Sequence, residues 1–301
     1  MSKRLFGSIE NQKLRYTFEY DQVTLLFVLT LLIFKFFASP VKSGSNDMKF
    51  NYLLRALTAA PLLPLMYVQG KRIKKSVPVL PEATGPSGIT GNGRPFKLLT
   101  IGESTIAGVG VDTHEEGFTG TLATTLAERL NRRTEWRVYA RSGYTAQRTT
   151  LKLIPKITET EADLIVIGTG GNDAFTLNTP DRFRKHVSGL IDAVRLKFPN
   201  TPIVFTNMPP IKEFPAFTLL IKFTIGHLVE LLGDEVEEEV KNRKNVHYYA
   251  DRITIKDWTK RLNIQEKTGA FFSDGVHPSK LTYQTWAKDL GRWMVEEENV
   301  I

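Results

Sequence analysis

Apolar positions fall into two regimes along the chain. Up to residue 75 they come in long blocks: residues 23–38 are nearly all apolar, with Lys35 near the end, and residues 52–68 are apolar apart from interruptions that include Arg55, Pro61 and Pro64. Beyond residue 96 they come in short runs that alternate with segments of helical period. Runs at 97–101, 136–140, 163–168, 202–206 and 246–250 predict strands, and 117–130, 145–157, 180–198, 217–244 and 280–297 predict helices. Short strands alternating with helices predict an α/β domain, a three-layer sandwich with a central parallel sheet. Ile165, Val166 and Ile167 are apolar in succession, as a central strand covered on both faces must be. Residues 76–95, rich in Pro, Gly and Ser, have no apolar period and predict a linker or an extended arm. The expected organisation is an N-terminal apolar helical extension over 1–75, a linker over 76–95 and one α/β domain over 96–301.

Charge changes the picture only at the N-terminal end. The chain carries a formal +8, yet residues 1–96 hold 13 Lys and Arg against 5 Asp and Glu, and the remainder is balanced. Basic charge beside apolar blocks fits a membrane surface, reached through residues 23–75, and argues against nucleic acid as a partner. Three arrangements are open: a helical hairpin with Lys71, Arg72, Lys74 and Lys75 on the cytoplasmic side, an amphipathic anchor lying in the interface, or ordinary packing on the domain. Membrane association with a cytoplasmic domain is the expectation. A cleaved signal peptide is disfavoured, because the first apolar run starts late and no small-residue cleavage site precedes the domain. Met48 can serve as an alternative start, which makes 1–47 an upstream extension. The chain has no cysteine, which excludes disulfides, thiolate metal sites and cysteine nucleophiles.

Candidate chemistry collects at predicted strand ends. The first strand runs into Gly102-Glu103-Ser104-Thr105, which puts Ser104 at the carboxyl edge of the sheet, where open α/β folds bind ligands. The next two strands lead into Arg141-Ser142-Gly143 and Gly170-Gly171-Asn172-Asp173. Asp274-Gly275-Val276-His277-Pro278 precedes the last helix, with Pro278 placed to start it. Acyl transfer needs a nucleophile, a base, a group to orient the base and donors for the developing oxyanion. Ser104, His277 and Asp274 can fill the first three roles in that order. The backbone N–H groups of Ser104 and Gly143 and the side-chain amide of Asn172 can fill the last. No cofactor or metal is called for: His114, His186, His227 and His247 show no ligand spacing, and Gly108-Val109-Gly110 lacks the third glycine of a dinucleotide fingerprint.

These four blocks, in this order, resemble the SGNH hydrolases, or GDSL-type esterases, over residues 97 to the C-terminus. The resemblance implies that family's compact sandwich fold, a Ser104–His277–Asp274 triad and an oxyanion hole of Ser104, Gly143 and Asn172. It departs at Glu103, where the family usually has Asp supporting the loop. Residues 52–75 with Leu80-Pro81-Glu82 further resemble the bacterial lysophospholipase-like branch. The activity implied is hydrolysis of small acyl esters, lipid-like or short-chain. Carbohydrate or cell-envelope O-acetyl ester hydrolysis is the first alternative, and a membrane-anchored binding module without turnover the second.

Plainer roles compete residue by residue. Asn172 and Asp173 can cap a helix, and Asp274 with His277 can be a surface pair. Residues 214–232 read first as a core helix, and otherwise as the lining of an acyl pocket or a face turned to the bilayer. Arg141, Arg148 and Glu213 are candidates for the rim of the site. The oligomeric state is left open.

Overall fold

The computed structural model describes residues 59–301 other than 262, 264, 266 and 299, together with 52, 56 and 57. The apolar block at 23–38 and the possible start at Met48 lie outside the described residues. The chain divides into two units, 1–64 and 65–301. In the first, Pro61 initiates a short 3-10 turn, Ala60–Leu62. No helix among the described residues is long and apolar enough to cross a membrane. Helix α1 (Leu63–Ser76) leads into the second unit, where Met66 is buried and Gln69 accepts a hydrogen bond from Thr218 Oγ1 at 2.7 Å.

The second unit is an α/β sandwich around a six-stranded sheet. Its strands are β1 (Ser87–Thr90), β2 (Pro95–Gly102), β3 (Arg133–Ala140), β4 (Leu164–Gly168), β5 (Ile203–Phe205) and β6 (Val246–Tyr248), in the order β1-β3-β2-β4-β5-β6. Five run parallel, and β1 pairs antiparallel with β3 at the edge. All of β4 is buried, as its unbroken apolar sequence requires. Strand β1 falls inside the segment expected to be a linker. It has no apolar period because an edge strand needs none: Ser87 and Ile89 face solvent, and pairing with β3 supplies its stability.

Helices α2 (Phe118–Leu130) and α8 (Lys280–Arg292) pack together, with Phe118 edge-on to Trp286. Helix α5 (Pro180–Lys197) lies between α3 (Ala146–Lys152) and α6 (Leu219–Val240). Its sequence explains it: Thr179 caps the first turn, Pro180 opens it, and Phe183, Val187, Leu190, Ile191 and Val194 form one buried stripe. Pro155 cuts the expected 145–157 helix into α3 and a separate 3-10 turn, Ile154–Lys156. Two short helices, α4 (Gly171–Phe175) and α7 (Ile255–Arg261), have no periodic signal long enough to predict them. Helix α6 buries Ile221, Ile225, Leu228 and Leu232, so one face of 214–232 is core, while the helix starts only at Leu219, which stays exposed, and Phe214 before it lines a cleft with Thr105.

Register is what positions the site. Gly102 pairs with Ala140 on one side and Gly168 on the other, so β2, β3 and β4 end level. Two further bonds, Arg141 N–H to the Gly102 carbonyl and Glu103 N–H to the Gly168 carbonyl, carry the ladder one residue beyond the strands. The turns bearing Ser104, Gly143 and Asn172 therefore leave the sheet at the same edge.

Candidate active site

Ser104 sits half-buried in the turn after β2, in a helical twist closed by Ala107 N–H to the Glu103 carbonyl and Val109 N–H to the Ser104 carbonyl. Gly143 follows β3 with φ of +80°, a conformation L side chains rarely adopt, and the space its Cβ would occupy is open. Its loop is held from below by Glu82, whose carboxylate accepts the Ser142 N–H at 2.7 Å and pairs with Arg141 at 3.1 Å. Glu82 lies in the expected linker, and nothing in its spacing signals this role.

Asn172 and Asp173 do not cap the helix they begin, because Gly170 occupies the cap position of α4. Asp173, with no exposed surface, instead reaches the start of α3. One oxygen accepts the Ala146 N–H at 2.8 Å, and the other accepts from Asn178 Nδ2 at 2.7 Å. Burial pushes its carboxyl above the usual range despite those bonds. Asn172 spends its side-chain amide on Glu103 Oε2 at 2.8 Å and on the Tyr144 carbonyl at 3.2 Å. The block after β4 is thus tied to both the block after β2 and the block after β3.

Asp274 and His277 meet on one tight turn. The Asp274 side chain is wholly buried; Oδ1 accepts the N–H groups of Val276 at 2.9 Å and His277 at 2.7 Å, and Oδ2 lies 2.7 Å from His277 Nδ1. Burial opposes ionisation of Asp274, but the bonds from the His277 ring and the two backbone donors outweigh it and hold the carboxyl below its ordinary value. A carboxylate at Nδ1 fixes the proton there and leaves Nε2 as the acceptor. The turn is stitched to the loop that follows Ser104. Ser273 Oγ lies 3.0 Å from the Gly110 carbonyl, Tyr283 donates to the Val109 carbonyl at 2.8 Å, and Thr105 and Pro278 line one narrow apolar cleft with Phe214 and Phe272. Ser279 rather than Pro278 caps α8. Among the described residues no hydrogen bond joins Ser104 to His277.

The remaining rim candidates separate. Arg141 serves Glu82, and Arg148 lies over the Tyr144 ring, 5.2 Å from its centre. Glu213 belongs to another cleft, between α6 and the ends of β5 and β6, which is also lined by the ion pairs of Lys212 and Arg252 with Glu230 and of Arg252 with Asp234. No group among the described residues could hold a metal ion.

Fold and site together define an α/β hydrolytic enzyme. The chain belongs to the GDSL-like lipase/acylhydrolase family, which matches residues 100–285. Solved structures that the chain matches include the lipase Lip_vut3 from a goat rumen metagenome, at 20% identity over 65% of this chain and 95% of that one, with a TM-score of 0.48. A Clostridium thermocellum family 3 carbohydrate esterase aligns at 17% identity over 67% and 96%, with a TM-score of 0.49. Phospholipase A1 from Streptomyces albidoflavus NA297 aligns at 14% identity over 65% and 97%, with a TM-score of 0.46. A search of curated proteins finds no match.

Proposed function

We propose that the chain hydrolyses carboxylic esters through an acyl-Ser104 intermediate. The observation that carries this reading is the 2.7 Å contact between a buried carboxylate and His277 Nδ1, on a turn bound to the loop that follows Ser104. His277 Nε2 takes the Ser104 proton as Oγ attacks the ester carbon, and Asp274 steadies the imidazolium. The oxyanion is received by the N–H groups of Ser104 and Gly143 and by the Asn172 amide. Collapse expels the alcohol with the proton from His277, and water, activated by the same imidazole, releases the acid.

Lipid-like or short-chain acyl esters are the proposed substrates, met at a membrane surface. What supports this is α1: its exposed residues include Leu65, Tyr67 and Val68 in the first turns and Lys71, Arg72, Lys74 and Lys75 in the last ones, an apolar end followed by a cationic one. A fluorophosphonate probe tests the mechanism. Wild type is labelled and Ser104→Ala is not; absence of labelling on folded wild type overturns it. A chain-length series tests the substrate: turnover restricted to acetylated sugars points instead to an O-acetylesterase.

A further inference from the structure

Glu103 is a buried carboxyl that the reaction course above leaves unused. It is 3% exposed, forms no ion pair among the described residues, and accepts three N–H donors from a single neighbour segment. Oε1 takes the Gly171 N–H at 2.8 Å; Oε2 takes the Asn172 N–H at 2.9 Å and Asn172 Nδ2 at 2.8 Å. Room for the glutamate comes from Gly171, where a Cβ would stand 2.8 Å from Oε1 and 3.1 Å from Pro209 Cγ. The two hydrogens of the Asn172 amide are therefore held unequally. The bond to the carboxylate is short and charge-assisted, whereas the bond to the neutral Tyr144 carbonyl is longer, at 3.2 Å. The weaker bond goes to the loop that carries Gly143, the other proposed oxyanion donor.

We propose that Glu103 is the positioning residue of the Asn172 amide: its carboxylate pins one N–H so that the other passes from the Tyr144 carbonyl to the oxyanion, and protonating it unpins the amide. This rests on the serine-hydrolase reading. Protonation turns the charged acceptor into a neutral acid whose O–H finds no acceptor among the three N–H donors, so the hold on the amide loses its charge assistance. Burial pushes the Glu103 carboxyl up to about 7 against the bonds from Asn172 and Gly171, and the like charge of Asp173, one residue beyond Asn172, pushes the same way. Behind Asp173 stand His186, at 4.0 Å, and Arg182. The pinned state accordingly fills as pH rises through the neutral range.

A double-mutant cycle on p-nitrophenyl acetate and butyrate tests this, using wild type, Glu103→Gln, Glu103→Asp, Asn172→Ala and the Glu103→Gln/Asn172→Ala pair. Thermal melting and fluorophosphonate labelling accompany each protein. Glu103→Gln is expected to lower kcat on the order of 10- to 100-fold with KM within about twofold, and to cost nothing further once Asn172 is gone. Glu103→Asp keeps the charge at shorter reach and falls between. Wild-type kcat rises through the neutral range by more than that of Asn172→Ala, whose profile keeps only the part that belongs to the His277 base. Equal losses in both backgrounds, or an unchanged kcat in folded Glu103→Gln, overturn the proposal. If Glu103→Gln does not fold, the aspartate variant and the comparison of pH profiles decide. Wild type without labelling or turnover refutes the hydrolase reading itself, a different failure.

Discussion

On the proposed assignment, Asp274 joins structure and chemistry in one side chain. Its folded carboxyl is held below the unfolded value, so the stability it contributes is present above the unfolded value and is lost as pH falls through the folded one. Asp274→Asn removes the charge and can present an NH₂ group to Nδ1, favouring the wrong tautomer. A kcat loss of about 10³- to 10⁴-fold is expected on a soluble ester, with KM little changed and a flatter melting-temperature profile on the acid side. Retention of kcat within tenfold would remove Asp274 from the mechanism. The spacing of Asp274 and His277 was readable in the sequence, because three residues on one turn leave little freedom. The hold of Glu103 on Asn172 was not, because it spans 69 residues and depends on a register that no local pattern encodes. For the same reason Asn172 and Asp173 read locally as helix caps, whereas tertiary bonds turn them to other elements.

Elements with their own periodicity were legible, and elements that borrow stability from neighbours were not. The five parallel strands follow from short apolar runs and the long helices from apolar period. Strand β1 is four residues of SGIT, half of them exposed, and exists as a strand because β3 lies beside it. Helices α4 and α7, of five and seven residues, are too short to show a stripe. This separates two truncations. Removing residues 1–75 spares every strand and Glu82, and is expected to give a soluble protein that keeps its esterase activity. Removing residues 1–95 takes away β1 and the carboxylate under the Gly143 loop, and is expected to lower both melting temperature and turnover. Unfolding of the shorter truncation would show that the apolar N-terminal segments are core.

Across the whole molecule, basic charge sits where the apolar blocks are, and the rest of the sequence is neutral. Each Lys or Arg near an anionic surface contributes about 1 kcal/mol, screened by salt. Co-sedimentation of the full chain with phosphatidylserine-containing vesicles is therefore expected to exceed that with zwitterionic ones and to fall as salt rises. Lys71→Glu, Lys74→Glu and Lys75→Glu together are expected to weaken it at least tenfold. Equal binding to both vesicle types would assign α1 no electrostatic part.

The order of the blocks along the chain has a temporal consequence. Ser104, Gly143 and Asn172 emerge from the ribosome before His277 and follow strands that can pair as they appear, whereas His277 follows every strand of the sheet. On the proposed assignment, a nascent polypeptide carries its nucleophile long before it carries the base to arm it. Synthesis itself then keeps the hydroxyl dormant until the final loop has docked.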